Sequence, residues 1–512
     1  MFMGNNMTTS ILSRWPLMRW ALTGAAVLAS LYAGFLLYAQ AEPLFGAMFL
    51  VLAVAVGVVF LHPRSATWRF VLPGIAAVLI FVAFPVVYTI WLGFTNYSSF
   101  NLLTYDRAIE VLMANKSIDP KTERKFAIAG GPGAYQVWLP EDGLLSEPLA
   151  LDGQAASANL SPADEPAALL AQKEAVKLRK GLAAIVLTAP DDTELRNTGL
   201  RAFAAVAPEY ERLGPDAFRR HADGQMLTAN HKTGFFTLED GTTIAPGWRV
   251  GIGWDNFKRI FTLEGIRGPM LSIFVWTCIF AFLSMAGTFA LGLLLAVILQ
   301  WPHLRGKAAY RILLILPYAV PSFISILVFR GLFNQNFGEI NLILEAMFGL
   351  RPDWFTDGTL ARIMILAVNL WLGYPYMMLL AMGFLQAVPE DHKKAAALEG
   401  ASALRVFFTI TLPQILPPFV PLLISTFAFN FNNIVLVLLM TRGGPDIPGT
   451  AIPAGETDIL GSFTYRVAFM DTGTQFGLAG AITFLIFLIV GAMAYANLLA
   501  MRRAALRKGA RI

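Results

Sequence analysis

Eight blocks of apolar residues, each about the length of a membrane-crossing helix, restrict this chain more than any other feature. They lie at roughly 18–38, 44–61, 70–94, 271–299, 311–332, 361–387, 415–440 and 478–501. About 20 apolar residues are needed to cross the hydrocarbon core, and a helix closes its backbone hydrogen bonds within the segment. Only 14% of residues are charged and 56% are hydrophobic, against about 25% charged in soluble domains. The sequence therefore reads as a polytopic all-α membrane bundle with eight transmembrane helices. The single cysteine, Cys278, lies inside a block. No internal disulfide or thiolate cluster can form, and Cys278 reads as a small packed hydrophobe.

Charge placement orients the bundle. With the N-terminus inside, the inner face receives Arg14, Arg19, Arg64, Arg69, Arg305, Lys307, Arg311, Lys393, Lys394, Arg405 and the basic tail at 506–512. The short outer loops hold few basic residues: Arg330, Arg351, Arg362, Arg442 and Arg466. Basic residues concentrate on the cytoplasmic side of short loops. Both termini and the 388–414 loop are thus expected in the cytoplasm, and the 95–270 segment outside. The tail reads as a topology anchor and not as a nucleic-acid contact. Ala39-Gln-Ala41 has the look of a signal-peptidase site, but the apolar run before it is longer than a signal peptide's.

Residues 95–270 change character, holding 19 of the 39 basic and 22 of the 34 acidic residues. Strand-like runs occur at 135–139, 183–187 and 234–238, the last ended by turn chemistry at Glu239-Asp-Gly241. Helical patterning is expected near 165–180 and 193–222. The segment reads as an inserted soluble, β-rich mixed domain, because a linker would lack these apolar runs. Trp248 and Trp254 suit the outer membrane surface. The chain accordingly divides into 1–94 (N-terminal tail and three spans), the insert 95–270, a core of five spans at 271–505, and the tail at 506–512.

No phosphate-binding loop, metalloprotease motif or nucleophile elbow is present. Charged residues are nearly absent from the middles of the spans, which argues against a proton-driven carrier. Two polar faces stand out. Asn369, Leu372, Gly373 and Tyr376 are spaced i, i+3, i+4, i+7 and share one helical face, and Thr426, Phe429, Asn430 and Asn433 repeat that spacing. Rings beside amides suit a sugar, whose apolar face packs on a ring while its hydroxyls bond the amides. The same amides could instead bridge helices, which is common for Asn in membrane bundles. Tyr318 lies between Pro317 and Pro321, two prolines that imply a distorted helix. Acids in the insert, such as Asp191-Asp192 and Glu239-Asp240, sit in turn-like settings and read as solvated surface. They leave an outer-domain enzyme as the weaker reading.

The polar stretch Glu390-Asp-His-Lys-Lys-Ala-Ala-Ala-Leu-Glu-Gly400-Ala, running on to Thr409-Ile-Thr-Leu-Pro413, resembles the signature loop of ABC-importer permeases. Gly400 lets the chain turn, and Pro413 is expected to end the irregular part. Leu316–Ile326, Asn369–Met378, Phe427–Asn433 and Gly443-Gly-Pro445 are together similar to the larger permease subunits of maltose/maltodextrin ABC importers. That resemblance implies a type I importer core in a bacterial inner membrane. It assigns sugar contact to Tyr318, Asn369, Leu372, Gly373, Tyr376, Thr426, Phe429, Asn430 and Asn433. It assigns ATPase coupling to Lys394, Ala395, Ala397, Glu399, Gly400 and Ala401. The implied partners are a second permease, two ATPase subunits that hydrolyse ATP in place of this chain, and a periplasmic sugar-binding protein; no cofactor is implied. Lys394 stands where the family has a glutamate, which questions any salt bridge from that position. The alternative is a permease of the same class for another oligosaccharide; a phosphorylated solute is disfavoured, since neither polar face carries a basic residue.

Overall fold

In the computed structural model the described residues are 6–40, 42–62, 65, 67–119, 122–199, 202–470 and 474–507. Ala41 of the cleavage-like motif, Arg64 and residues 508–512 of the basic tail lie outside them. The chain forms two compact units, one of residues 1–99 with 251–512 and the other of 100–250.

Among the described residues of the first unit, seven helices are long and apolar enough to cross a membrane: Trp20–Ala39, Pro43–Leu61, Trp68–Leu92, Glu264–Gln300, Gly358–Gln386, Ala403–Phe431 and Phe476–Leu499. The eighth expected span, 311–332, is a bent pair, Lys307–Ala319 and Ser322–Leu332, turned through 93°. Its break falls at Val320-Pro321, where Pro321 cannot donate and biases Val320 to the extended conformation it adopts. The expected span 415–440 also differs. Its helix starts at Ala403, ten residues before Pro413, and stops at Phe431; a short helix, Ile434–Met440, follows a break at Asn432-Asn433.

Pro413 leaves a trace in that helix. The N–H of Leu412 reaches back to Phe407 O, closing a π turn over Phe407–Thr411. The same device precedes Pro85, where the Phe84 N–H bonds Leu79 O at the end of a π turn over Leu79–Ala83. A proline has no N–H and crowds the carbonyl four residues back, and the wider turn absorbs both effects.

Near the end of this unit, Asp458 is buried in the segment between the last two long helices. Its carboxylate accepts hydrogen bonds from Gly455 N (2.9 Å), Ser462 Oγ (2.7 Å) and Arg466 Nη1 (2.7 Å). Burial pushes the Asp458 carboxyl up to about 6 despite the guanidinium. Arg466, which also bonds Asp446, keeps its proton.

The second unit is mixed and β-rich. Nine strands between Lys116 and Pro208 form one sheet, antiparallel except where Ala156–Pro162 runs parallel to Ile185–Thr188. Five strands from Tyr210 to Ile244 form an antiparallel meander. Ala134–Leu139 and Phe235–Leu238 form strands close to where the alternation places them, and Asp240 caps the turn after the latter by accepting from Thr242 N at 2.8 Å. Three expectations for the insert are corrected. The stretch 193–222 is not helical but holds the strands Glu194–Asn197, Ala202–Pro208, Tyr210–Arg212 and Ala217–Arg220. Its alanines favour a helix locally, yet Phe203 and Ala204 are buried only when the strand pairs across the sheet, and that pairing prevails. Trp248 is not interfacial: it is a core residue packed with Phe218 and Phe236, whereas Trp254 is exposed. The compact unit is also narrower than 95–270, because residues 255–262 and 264 onward are helical and pack in the first unit.

Candidate functional site

A cavity of about 710 Å3 opens in the first unit, and all nine residues of the two polar faces and the bent helix line it. Asn369, Leu372, Gly373 and Tyr376 come from the Gly358–Gln386 helix, which continues through Pro375. Thr426, Phe429 and Asn430 come from the Leu412–Phe431 helix, and Tyr318 from the first limb of the bent pair. Asn433 is a correction. It is not on the helical face its spacing suggests, because the helix has ended; it lies in the break and reaches the cavity from there.

The three asparagines form a directed chain. Asn433 Nδ2 donates to Asn369 Oδ1 (3.3 Å), Asn369 Nδ2 to Asn430 Oδ1 (2.7 Å), and Asn430 Nδ2 to Thr426 O (2.9 Å). Asn369 and Asn430 are buried, so each must be paired, and each satisfies the other across two helices. The chain ends at Asn433, which is half-buried and whose Oδ1 accepts no hydrogen bond from the described residues. Helix bridging and an open acceptor therefore coexist in one network.

Aromatic surface completes the lining. Tyr318 is 60% exposed, Phe429 69% and Tyr376 41%, so their ring faces are free to pack. Neither tyrosine hydroxyl has a hydrogen-bond partner among the described residues. No Asp, Glu, Lys, Arg or His is among the lining residues. Rings, amides and hydroxyls without charge fit a neutral polyhydroxylated solute better than an ionic one.

Gly373 sets the width on one side. A Cβ there would stand 2.7 Å from Thr288 Cγ2, so only glycine lets the two helices approach this closely. Thr288, Ser322 and Ser425 also line the cavity. Sequence reasoning missed them. Thr288 is a hydroxyl within a helix, bonded back to Ser284 O at 2.7 Å, a common arrangement that carries no local signal. Ser322, in contrast, adjoins the Pro317/Pro321 break that could have pointed to it.

The 388–414 stretch is a helix, a turn and the start of the next helix. Glu390–Leu398 has no buried residue. Gly400 turns the chain at φ +77°, with its N–H bonded to Ala397 O and the Ala401 N–H to Ala396 O. Ser402 Oγ then accepts from Arg405 N, capping the following helix. Lys394 pairs with Glu390 at 3.2 Å within the first helix, both side chains exposed. Ala395, Ala397, Glu399 and Ala401 lie on the same helix and turn. Leu398 is 90% exposed, and Leu404 is exposed too. Such apolar side chains on a polar knob suit contact with another protein.

Two family models match the sequence. Residues 103–253 match the "maltose transport system permease protein MalF P2 domain", and residues 288–503 match the "binding-protein-dependent transport system inner membrane component". The maltose/maltodextrin transport system permease protein MalF of Klebsiella aerogenes is 45% identical over 504 residues, covering 95% of this chain and 97% of that protein. The Yersinia pestis MalF is 46% identical over 501 residues, covering 94% and 93%. Among solved structures, a bacterial ABC transporter involved in alginate import is similar at TM-score 0.42 and 20% identity, over 49% of this chain and 84% of that one.

Proposed function

The chain belongs to the MalF family of multi-pass inner-membrane transport permeases, and from that premise we propose that it carries maltose and maltodextrins inward as one permease of an ATP-driven importer. The observation that carries this reading is the uncharged cavity in which the Asn433–Asn369–Asn430 chain meets the rings of Tyr318, Tyr376 and Phe429. A pyranose packs its apolar face on such a ring and shares its hydroxyls with amides. The nine lining residues named from the sequence are the proposed sugar contacts.

The proposed assembly adds a second permease, two ATPase subunits and a periplasmic sugar-binding protein. The 100–250 unit lies in the periplasm in this scheme and helps hold the binding protein, while both termini are cytoplasmic. That orientation is supported by the basic residues of the inner loops. Lys394, Ala395, Ala397, Glu399, Gly400 and Ala401 belong to a knob that docks in an ATPase subunit, with Leu398 and Leu404 as its apolar anchors. ATP is bound and hydrolysed by those partners, whose closure moves the knob and, through the 403–431 helix, the cavity. Lys394 pairs with Glu390 only as an exposed surface pair within its own helix, and in this reading docking rests on shape and on the apolar contacts of Leu398 and Leu404.

The test is ATPase activity of the reconstituted importer in liposomes with its binding protein. Stimulation by maltose supports the proposal. A stable complex stimulated only by another oligosaccharide would redirect the substrate, and failure to bind any ATPase would end the coupling role.

A further inference from the structure

A second recess, of about 390 Å3, lies between the Glu264–Gln300 and Gly358–Gln386 helices near their N-terminal ends. Gly268, Leu271, Ser272, Val275 and Ile279 form one stripe of the first helix along it, and Arg362 closes it from the second. Leu271, Val275 and Ile279 are exposed and apolar, as on a lipid-facing helix. Gly268 and Ser272 are small and leave the recess open.

Arg362 is unusual on such a surface. Its guanidinium sits 4.8 Å from the centroid of the buried Trp276 ring, whose Nε1 has no hydrogen-bond partner. Nε and Nη2 of Arg362 bond Glu456 O (2.8 Å) and Oε2 (2.6 Å). Among the described residues, Nη1 has no hydrogen-bond partner, and neither has Oε1 of Glu456. Arg362 thus ends the apolar track with one guanidinium donor open, and the carboxylate paired with it, just beyond the lining residues, keeps one oxygen open. Beside hydrocarbon, such groups are costly without partners.

We infer that this recess binds a phospholipid with a primary ammonium headgroup. A phosphate oxygen accepts from Arg362 Nη1, the ammonium donates to Glu456 Oε1, and an acyl chain lies along Leu271, Val275 and Ile279. The Arg362–Glu456 pair is neutral overall, so an anionic headgroup gains little net attraction and offers the carboxylate no cation. A quaternary ammonium has no N–H to donate.

The test is native mass spectrometry of the full-length chain in detergent, titrated with phosphatidylethanolamine, phosphatidylglycerol and phosphatidylcholine of matched acyl chains. One ethanolamine lipid should be held about tenfold more tightly than the others, the value of a charge-assisted hydrogen bond. Arg362→Gln should abolish the preference, and Glu456→Gln should move it toward the glycerol headgroup. Gly268→Trp should abolish it as well. A Cβ at Gly268 meets nothing within 4 Å, so this variant fills the recess and leaves the ion pair untouched. Equal retention of the three lipids, or wild-type retention by Gly268→Trp, overturns the inference. So does loss of the bound lipid when the second permease associates, which would show that a protein covers this face.

Discussion

Asn369 Nδ2 lies 2.7 Å from Asn430 Oδ1, so two apolar helices are tied by an amide pair that also walls the cavity. Removing either partner strands the other. Asn430→Ala should cost about 1–3 kcal/mol of stability, the desolvation penalty of the orphaned group, read as a lower melting temperature in detergent. Sugar uptake should fall about tenfold, the value of one hydrogen bond of about 1.4 kcal/mol lost when the network that holds Asn433 is broken. Asn433→Ala separates the two roles, because Asn433 ends the chain. It leaves Asn369 Oδ1 without its donor but keeps the Asn369–Asn430 bond, so uptake should drop with a smaller loss of melting temperature than Asn430→Ala gives, and unchanged uptake would reduce the network to helix bridging.

Gly373 faces Thr288 with no room for a side chain. Gly373→Val should push the helices apart or force Thr288 off its rotamer, at about 1–3 kcal/mol. Transport should weaken in step. A Gly373→Ala variant should show a smaller loss, and Thr288→Ala, which removes the clashing Cγ2, should restore part of it. Uptake measured across the double-mutant cycle decides whether the two positions couple.

Gly400 holds φ +77°, a conformation that costs a side-chain-bearing residue roughly 1–2 kcal/mol. Gly400→Val should disorder the knob and reduce co-purification of the ATPase while leaving the cavity and its sugar affinity intact. Leu398→Ala changes no internal packing, since that side chain is exposed. It should weaken the same association by a smaller factor; full co-purification of both variants would rule out docking through this turn.

The buried Asp458 makes stability depend on pH. Its folded value of about 6 lies above the ordinary 3.8, so folding favours the protonated form. The stabilising contribution is therefore complete below about pH 4 and is lost as pH rises through about 6. Asp458→Asn should flatten that part of a melting-temperature profile. Arg466→Gln leaves the carboxylate buried without its counter-charge and should cost about 3–5 kcal/mol at neutral pH. A profile unchanged by Asp458→Asn would mean another group titrates.

Much of the bundle was legible because hydrophobic length is a one-dimensional signal. The cavity residues were legible because amides and rings are conspicuous in apolar runs, and because Pro317 and Pro321 announced a break. Other features depend on partners distant in sequence. Ala202–Ala207 reads as helix alone and becomes strand beside Glu194–Asn197 on one side and Lys116–Ile118 and Arg124–Lys125 on the other. Trp248 resembles an interface anchor until Phe218 and Phe236 enclose it. Thr288 matters only because Gly373 stands opposite, and the exit of Asn433 from its helix is invisible to a spacing rule that assumes the helix continues.

The π turn at Phe407–Thr411 also sets an angular phase. It inserts one residue beyond the α-helical count between the exposed turn at Gly400 and the face bearing Thr426, Phe429 and Asn430. One α-helical residue corresponds to about 100° of rotation, at 3.6 residues per turn. Pro413→Ala with no deletion would let the segment relax to an ordinary helix that keeps the extra residue, and the Gly400 knob would swing by about 100° around the helix axis relative to the asparagines. Deleting one residue there as well would restore the bearing. The proline thus fixes the compass bearing at which a push on one end of this helix arrives at the other.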